Sequence, residues 1–333
     1  MGDNKIVRVV VLMEKAFKIF ASNLVTAGKH VDIEMIPFIV PNDKVTKSLQ
    51  NKFESFMAKN QAETVLVIND FKNKNEYFLK ESFFKKYKCY LWFWDSMHRI
   101  ELKQDRLFKY KKVSSFEIDD VEYAKSTFGI DIDYVPLVAG ESFCLNPVES
   151  NKNRSIDISF IGLVPKNSYR LQLLNRLAIH CKEKGYNLKL YGHFWHWNNW
   201  YQRVTGKIKF RLRYPVLAQY VENRFIQPEE AVEIYRNTKV NLNIHIKEHK
   251  SYNCRTFEVI GNNNFLLSSE QEEANLKLVS GIHFATYKTD DEFIRKIDYY
   301  MQHGDERNRI AKSGGEQVRS IYKMEHFIKQ VFE

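Results

Sequence analysis

An arginine and a glutamate stand three residues apart in the second half of the chain, at Arg255 and Glu258. Side chains at this spacing share one face of a helix. The apolar run at 265–267 follows them, ends in Ser268-Ser269 and has the length of a buried parallel strand. A guanidinium and a carboxylate beside such a strand end are a common arrangement for binding a nucleotide-sugar. A surface ion pair on an amphipathic helix would show the same pattern.

A second candidate is the turn from Gly162 to Arg170, which follows an apolar strand and opens a helix. The free N–H groups and the dipole of a helix N-terminus favour a phosphate there. Lys166 and Arg170 would add positive charge, or would only decorate a solvated helix start.

Asp95 and His98 lie in a polar turn after the strand-like run at 90–94. Either group can take a proton from a hydroxyl if a neighbour tunes it. The alternative is an Asp/Ser helix cap with His98 in the first turn. Asp70, after the run at 65–68, and Glu14 are further candidates of this kind.

Two more polar positions follow from strand ends in the second half. His245 ends an apolar strand, and Gln227 lies in the extended stretch 224–228 just before a helix. Ligands of open α/β sheets bind at the carboxyl edge of the strands. His245 could equally be a hydrogen-bonded structural residue.

Strand-like and helix-like patterns alternate along the whole chain, which indicates parallel sheets with crossover helices. Near 141–153 the pattern gives way to Gly, Ser, Pro and Asn, which predicts a linker and a domain boundary near 150. The predicted strands are 6–12, 31–38, 64–68, 90–94, 134–138, 156–162, 187–191, 240–244, 265–267 and 283–287. The predicted helices are 17–27, 45–59, 77–86, 168–184, 228–237, 256–260, 290–303 and 305 onward.

The composition fits a globular protein of two domains, with 333 residues of which 44% are apolar. The longest apolar runs have strand length, and residues 1–5 lead directly into a strand, so we expect a soluble cytoplasmic protein without a cleavable signal. The scattered cysteines suggest neither disulfides nor a zinc site. A formal charge of +10 implies attraction to nucleic acid, anionic membranes or phosphorylated small molecules.

The segment 193–215 is a basic stretch with three tryptophans. Aromatic and cationic side chains together suit an anionic membrane surface. They also suit stacking on single-stranded nucleic acid or on carbohydrate. A packed hairpin with its Lys and Arg side chains outward is the remaining alternative.

The order of motifs after residue 155 resembles the C-terminal domain of GT-B glycosyltransferases, most closely the CgeB-like, glycosyl transferases group 1 type. The motifs are Ile-Ser-Phe-Ile-Gly162, Leu-Lys-Leu-Tyr-Gly192, Gln-Pro-Glu-Glu-Ala-Val-Glu-Ile-Tyr235, Asn-Leu-Asn-Ile-His245 and Arg-Thr-Phe-Glu258. The tail, with Arg307, Ala311 and Gly314, also resembles the family.

This resemblance implies an α/β protein of the GT-B fold, with two Rossmann-like domains, a cleft between them and a C-terminal helix crossing back to the first domain. Residues 1–150 would bind the acceptor, 151–315 the nucleotide-sugar donor, and 316–333 would form the crossing helix. The expected activity is sugar transfer to a glycan or lipid-linked saccharide, without metal or other cofactor, in bacterial-type surface polysaccharide or glycoconjugate synthesis. The expected location is the cytoplasm, with peripheral attachment to the inner face of the membrane through 193–215.

The resemblance also implies roles for particular residues. Glu258 matches the carboxylate that binds the donor's ribose hydroxyls, and Asp95 matches an acidic position in CgeB-like proteins. Lys250 stands where the retaining enzymes have a second glutamate, with Glu248 two residues out of register, so the stereochemistry stays open. Asp95 and His98 are the expected catalytic residues. The expected donor-binding residues are Gly162, Lys166, Arg170, Tyr191, Gly192, Gln227, His245, Lys250, Arg255, Phe257 and Glu258.

Two other functions remain open at this point. The charge and the aromatic segment would suit a basic nucleic-acid-binding protein built on Rossmann-like domains, although the charge is spread along the chain and no known nucleic-acid-binding motif is present. A sugar-nucleotide epimerase of the same architecture is the third possibility. Asp131-Ile-Asp133 has the spacing of a metal-binding D-x-D motif, but it precedes a strand instead of following one.

Overall fold

The computed structural model describes residues 7–40, 47–70, 79–100, 102, 104–145, 147–149, 153–195, 199–246, 248–273 and 276–333. The chain divides into two units by its internal contacts. The N-terminal unit comprises Met1–Glu141, His249–Asn253 and Tyr322–Glu333, and the C-terminal unit comprises Ser142–Glu248 and Cys254–Ile321. Two short later segments of the chain therefore belong to the N-terminal unit.

The N-terminal unit is built on a six-stranded sheet in the order β2-β1-β3-β4-β5-β6, with every pair parallel. Its central strands β1 and β3 are buried except at their first one or two residues, as expected when helices cover both faces of a sheet. The strands are β1 (Val7–Glu14), β2 (Ile33–Val40), β3 (Thr64–Ile68), β4 (Lys88–Phe93), β5 (Lys112–Ser115) and β6 (Asp133–Tyr134). The helices are α1 (Ala21–Lys29), α2 (Lys47–Lys59), α3 (Glu81–Lys86), α4 (Gln104–Leu107) and α5 (Asp119–Phe128).

The C-terminal unit contains a second parallel sheet of six strands, in the order β12-β11-β10-β7-β8-β9. The strand order reverses between β7 and β10, which is where open α/β sheets form their ligand crevice. The strands are β7 (Ile156–Leu163), β8 (Leu188–His193), β9 (Val221–Glu222), β10 (Thr238–Asn243), β11 (Leu266–Ser269) and β12 (Ala285–Tyr287). The helices are α6 (Tyr169–Lys184), α7 (Trp200–Arg213), α8 (Pro228–Arg236), α9 (Cys254–Gly261), α10 (Asp290–Gln302) and α11 (Gly304–Ile321).

The last segment of the chain packs in the N-terminal unit. It carries a final helix, α12 (Met324–Ile328). Lys323 forms a parallel bridge with Ala139 in the same unit, and the rings of Tyr90 and Phe332 meet edge to face at 5.0 Å. Ile328 and Val331 are fully buried.

Most predicted elements agree with the structure, and the differences have physical reasons. Strand β5 and helix α5 fall in a stretch where no element was predicted, because the strand is short and carries the buried polar residues Ser114 and Ser115. The predicted strand 134–138 is reduced to β6. Most of the described part of 193–215 forms the helix α7 (Trp200–Arg213), so the hairpin alternative was wrong. Residues 6, 45–46, 77–78 and 196–198 of the predicted segments lie outside the described residues.

Candidate functional site

The carboxyl ends of β11, β10 and β7 lie side by side in the C-terminal sheet. Asn243 ends β10 and is fully buried. Its amide nitrogen donates to the hydroxyl of Thr256 at 3.0 Å, on the first turn of α9. The strand edge and the helix are therefore tied together by one buried side chain.

His245 lies just beyond β10 and is 5% exposed. Its Nε2 is 3.3 Å from the amide nitrogen of Asn243, and its Nδ1 is 3.1 Å from the hydroxyl oxygen of Ser269. Because the amide nitrogen can only donate, Nε2 accepts and Nδ1 carries the ring proton in this arrangement. The imidazole is thus held in one orientation, and the backbone N–H of His245 also donates to Ser269 at 2.9 Å.

Arg255 places its guanidinium against the same edge. Its Nη1 donates to the side-chain oxygen of Asn243 at 3.4 Å. A Cβ built on Gly162, at the end of β7, would lie 2.8 Å from the ring of Phe160 and 3.6 Å from the Nη2 of Arg255, so the glycine packs closely on Phe160 and lies beside the guanidinium. Within the described part of the chain, the buried Nε of Arg255 has no hydrogen-bond partner. A buried donor without a partner costs about 1–3 kcal/mol.

Glu258 and Phe257 occupy different environments on α9. Phe257 is fully buried, which makes it a packing residue. Glu258 is half-buried, and burial raises the pKa of its carboxyl group against the opposing effects of Arg255 and Cys254. Although both residues lie in the described part of the chain, no ion pair joins Arg255 and Glu258. The surface ion pair that the spacing also allowed is therefore absent.

Arg170 uses its donors on backbone carbonyls. Its Nε donates to the carbonyl of Ile244 at 2.9 Å, Nη2 donates to the same oxygen, and Nη1 donates to the carbonyl of Leu163. Burial, followed by the charge of Arg255, lowers the pKa of Arg170 to about 10. The side chain links the end of β7 to the end of β10, which is a positioning role.

Gly162 and Gly192 face each other in the register of β7 and β8. Gly192 has φ of +130°, and a Cβ there would lie 1.9 Å from the carbonyl oxygen of Gly162. Only glycine fits both the backbone angle and the approach. The neighbouring Tyr191 is buried, with the Arg224 guanidinium 5.6 Å from its ring centre.

The remaining C-terminal candidates lie at helix starts. Lys166 is exposed in the turn before α6, whose cap Ser168 accepts from the N–H of Leu171 at 3.2 Å. Gln227 is exposed and occupies the N-cap position of α8, ahead of Pro228, without a capping hydrogen bond from its side chain. Residues Gly162, Arg170, His245 and Arg255 therefore share one edge, whereas Lys166 and Gln227 stand at separate helix N-termini.

Lys250 lies in a segment that belongs to the N-terminal unit. Its ammonium is 2.9 Å from a carboxylate oxygen of Asp119. The backbone N–H groups of Lys250 and Ser251 donate to Glu117 at 3.1 and 3.0 Å. The segment His249–Asn253 is part of the N-terminal unit because Glu117 holds it there.

Asp95 follows β4 and is half-buried. Its carboxylate accepts from Arg99 Nη1 at 3.0 Å and lies 3.9 Å from the Nε2 of His249. His98 is exposed, and its ring lies over that of Tyr123 with 3.8 Å between the centroids. The structure thus places Asp95 beside a cation and a histidine, whereas His98 packs on an aromatic ring.

Three residues near Asp95 were not singled out from the sequence. Asp120 is fully buried and accepts from Met97 N–H and from the hydroxyls of Ser96 and Ser115. Burial raises the pKa of Asp120 against these hydrogen bonds. The acidic run Glu117-Ile-Asp-Asp120 was the available signal, but nothing in it shows which carboxylate is buried.

Glu117 and His249 form the second part of this network. Glu117 is 1% exposed, and its carboxylate lies 3.0 Å from the Nδ1 of His249. Burial disfavours the charged form of Glu117, but the hydrogen bond and charge of His249 and the two backbone donors outweigh it and lower the pKa. The two residues are 132 positions apart in sequence, which is why no local pattern pairs them.

Asp70 is engaged in a buried ion pair. Its carboxylate accepts from Arg106 Nε at 3.0 Å and from the Tyr110 hydroxyl at 2.7 Å, and Arg106 Nη2 completes a bidentate pair. Glu14 is buried at the end of β1. Asp70 therefore stabilises the fold of the N-terminal unit.

The described residues contain no group of three or more His, Cys, Asp or Glu side chains that could hold a metal ion. The four cysteines are free thiols. Burial raises the pKa of Cys89 and of Cys181 to about 12, so both stay protonated at neutral pH. None of the helices in the described part of the chain has the length and apolarity needed to cross a bilayer.

Comparison with solved structures shows a shared fold. Sucrose-phosphate synthase from Thermosynechococcus elongatus has a TM-score of 0.67 and 12% identity, covering 98% of this chain and 97% of that one. HepE of Anabaena, solved with UDP, has a TM-score of 0.63 and 11% identity over 98% of both chains. The lipopolysaccharide outer core galactosyltransferase WaaB has a TM-score of 0.54 and 13% identity over 98% of both chains.

Sequence comparison places the C-terminal half in a family. Residues 170–333 match the model described as glycosyl transferase-like. No curated protein sequence matches the chain significantly. The GT-B fold predicted from the motif order is confirmed by the two parallel six-stranded sheets and by the similar structures. Residues 170–333 are therefore similar to the glycosyl transferase-like family, and the chain has the GT-B fold.

Proposed function

We propose that this glycosyltransferase binds a nucleotide-sugar at the carboxyl edge of the C-terminal sheet and transfers the sugar to a glycan or lipid-linked saccharide. The observation that carries the proposal is the unpaired buried Nε of Arg255 beside Asn243 and Gly162. A phosphate oxygen at this point would accept from the guanidinium and remove the cost of the unpaired donor. HepE, which shares the fold, was solved in complex with UDP, and this supports the same class of donor.

The chemistry of the transfer explains why a cation belongs there. As the bond to the anomeric carbon breaks, negative charge builds up on the diphosphate leaving group. Arg255 and the free N–H groups at the start of α6 would stabilise that charge. We infer that side chains and backbone donors do this without a metal ion, so a chelator should leave turnover unchanged.

Glu258 is the proposed contact for the donor's ribose. An ionised carboxylate can accept hydrogen bonds from two hydroxyl groups. Its place on α9, one turn from Arg255, lets the two side chains bind neighbouring parts of one nucleotide. His245, fixed as a neutral donor and acceptor at the same edge, would contact the sugar or the phosphate.

On the acceptor side we propose Asp95 as the general base of an inverting transfer. Its neighbours Arg99 and His249 keep the carboxylate in a defined position. WaaB, which shares the fold, is a galactosyltransferase of the lipopolysaccharide outer core, and this supports an acceptor in surface polysaccharide or glycoconjugate synthesis.

Helix α7 supports the proposal that the protein works on the inner, cytoplasmic face of a membrane. Five side chains on one side of this helix are large, apolar or aromatic, and exposed: Trp200 at 77%, Tyr201 at 64%, Val204 at 48%, Ile208 at 52% and Leu212 at 78%. We call this set the apolar stripe. The helix also carries five Lys or Arg residues and no acidic residue. Such a helix suits the interface of an anionic bilayer.

A panel of UDP, GDP, CMP and dTDP sugars tests the donor proposal by thermal shift. One or more of them should raise the melting temperature of the wild-type chain, because a ligand that binds only the folded state stabilises it. The Glu258→Ala variant should bind that donor more weakly by about 1.5–3 kcal/mol for each charged hydrogen bond lost. If none of the nucleotide-sugars shifts the melting temperature, the proposed function is wrong.

Binding and turnover measurements on the wild-type chain distinguish the proposed function from the two alternatives, nucleic-acid binding and epimerisation. A nucleic-acid-binding protein would bind an oligonucleotide at physiological salt and would not need a nucleotide diphosphate. An epimerase would convert the donor in the absence of any acceptor. We expect binding of the nucleotide diphosphate, no binding of the oligonucleotide, and turnover only when an acceptor is added.

A further inference from the structure

A cavity of about 420 Å³ lies inside the C-terminal unit, between the turn after β7 and helix α7. Its floor is apolar, because Leu171, Phe194 and Phe210 are buried there. The half-buried Trp195 and Tyr214 form aromatic walls. The cavity is large enough for one sugar-sized group and has the apolar walls typical of ligand sites.

The rim of this cavity is cationic. Lys166, Lys209 and Arg213 line it, and all three are exposed. Within the described part of the chain, none of the three forms an ion pair, and no carboxylate lines the cavity. The polar side chains of Asn167, Gln202 and Thr205 also line it and can hydrogen-bond to a ligand.

The cavity and the apolar stripe occupy adjoining sides of one helix. Lys209 and Arg213 each follow a stripe residue, Ile208 and Leu212, by one position, which is about 100° around an α-helix. Lys207 and Arg211 each precede the same stripe residues by one position and do not line the cavity. A membrane surface that contacts the apolar stripe would therefore also reach the mouth of the cavity, which lies beside the stripe on α7.

We propose that this cavity holds the phosphate-bearing head group of a membrane lipid that carries the acceptor saccharide, while the apolar stripe lies in the bilayer interface. The inference rests on the proposed lipid-linked acceptor. The three cations would bind a phosphate or diphosphate ester. The aromatic walls would pack against the faces of the attached sugar. The ligand class is thus a lipid-borne phosphosaccharide, and the cavity adds a specific contact to the general attraction of a basic helix to an anionic surface.

Vesicle binding with the full chain tests the proposal. One vesicle set contains phosphatidic acid, which presents a phosphate monoester, and the other contains phosphatidylglycerol at the same surface charge. Diffuse attraction depends on surface charge alone, whereas a head-group site distinguishes the two lipids. We expect the wild-type chain to bind the phosphatidic acid vesicles more tightly.

Two double variants with the same loss of charge separate the cavity from the rest of the helix. The first, Lys209→Gln with Arg213→Gln, changes the cavity rim; the matched control, Lys207→Gln with Arg211→Gln, changes the opposite flank. On phosphatidylglycerol vesicles both should weaken binding to a similar extent, about 30-fold for two cations at a membrane surface. On phosphatidic acid vesicles the rim variant should lose at least about tenfold more affinity than the control.

Competition by free glucose 1-phosphate shows whether the cavity prefers a lipid-borne phosphate or a free sugar phosphate. If the proposal is correct, free glucose 1-phosphate competes weakly with phosphatidic acid vesicles for the wild-type chain. It does not compete for the rim variant. Equal weakening by both double variants, with no preference for phosphatidic acid, would overturn the proposal in favour of diffuse attraction. Binding of the free sugar phosphate as tightly as of vesicles would overturn the lipid-borne source.

Nucleotide-sugar binding is measured on the same variants, so that failure of the proposed head-group site can be distinguished from failure of the proposed function. A retained nucleotide-sugar thermal shift without any head-group preference rejects the cavity site alone. A head-group preference in a chain that binds no nucleotide-sugar rejects the proposed donor. A melting temperature close to that of the wild type shows that each variant is folded.

Discussion

Polar side chains near the carboxyl edges of the two parallel sheets differ in whether they have hydrogen-bond partners within the protein. At the C-terminal edge, Arg255 has a buried donor without a partner among the described residues, and burial raises the pKa of Glu258. In the N-terminal unit, Asp120 and Asp70 each accept several hydrogen bonds from side chains or backbone of the same unit. Arg255 therefore keeps a donor available for a ligand, whereas Asp120 and Asp70 use their acceptors to hold segments of their own unit.

This difference distinguishes a binding site from a polar network that stabilises the fold. A saturated network gains nothing from a ligand, because its donors and acceptors are already paired. An edge with an unpaired buried donor is destabilised by about 1–3 kcal/mol, and a ligand that pairs the donor recovers that free energy. Asp95 stands between the two cases, since it is partly exposed and still has defined neighbours.

The largest expected effect comes from Asp95, the carboxylate of the N-terminal edge that remains accessible. Asp95→Asn should lower turnover by about 10²–10⁴-fold, because an amide cannot take the acceptor proton. The affinity for the nucleotide-sugar should not change, so the effect should appear in kcat. Asp131→Asn serves as control, because Asp131 is an exposed carboxylate paired with Lys125. Full turnover by Asp95→Asn would remove Asp95 from the mechanism.

Arg106→Ala should show that the Asp70 network stabilises the fold. Removing the guanidinium leaves the Asp70 carboxylate buried and unpaired, which costs about 3–5 kcal/mol of unfolding free energy. Urea denaturation measures this loss. As control, Lys125→Ala breaks the exposed pair with Asp131 and should change stability by less than about 1 kcal/mol. A similar small change for Arg106→Ala would mean that the buried pair contributes little.

Arg255→Met should affect binding and not stability. Loss of the guanidinium should weaken nucleotide diphosphate binding by about 1.5–3 kcal/mol, measured by calorimetry. Stability should change little, because the hydrogen bond from Arg255 to Asn243 is long at 3.4 Å. Arg170→Met is the matched comparison, because Arg170 donates hydrogen bonds to the carbonyls of Ile244 and Leu163. Its loss should lower the free energy of unfolding. If Arg170→Met weakened nucleotide binding and Arg255→Met destabilised the fold, Arg170 would be the binding residue and Arg255 the structural one.

The smallest effect concerns the titration of Glu258. Because its pKa is raised in the folded state, the folded chain binds more protons than the unfolded chain between the ordinary glutamate pKa of 4.5 and the raised value. Wild-type stability is therefore lowered as pH rises through that range. Glu258→Gln lacks this titration, so its stability relative to the wild type should be higher at neutral pH than at pH 4.5. Melting curves of both proteins across that range check the difference; a constant difference would mean that Glu258 titrates normally.

Much of the fold and part of the candidate site could be predicted from the sequence. The parallel sheets were predictable because buried strands alternate with helical patterns. Gly162, His245 and Arg255 follow or face strand ends, and the carboxyl ends of parallel strands share one edge. Their roles in donor binding stay predictions.

The remainder depends on contacts between distant residues. Asp120 and Glu117 are buried by partners that no local pattern specifies, and Glu117 is paired with His249 across 132 positions. The backbone N–H of Lys250 donates to Glu117 across 133 positions, which no local pattern indicates, and its expected contact with the phosphates stays a prediction. Helix α7 was difficult to predict because its outward side is apolar, the reverse of the pattern for a helix packed on a core.

The membership of Tyr322–Glu333 in the N-terminal unit has a consequence for the order of folding during synthesis. Domains usually fold in the order in which they leave the ribosome. Here the N-terminal unit lacks the partners of Ala139 and Tyr90 until residues 322–333 have been made. The unit that is translated first is therefore completed last, and a ribosome stalled after Ile321 would carry a C-terminal unit with its full sequence and an N-terminal unit still missing its closing segment.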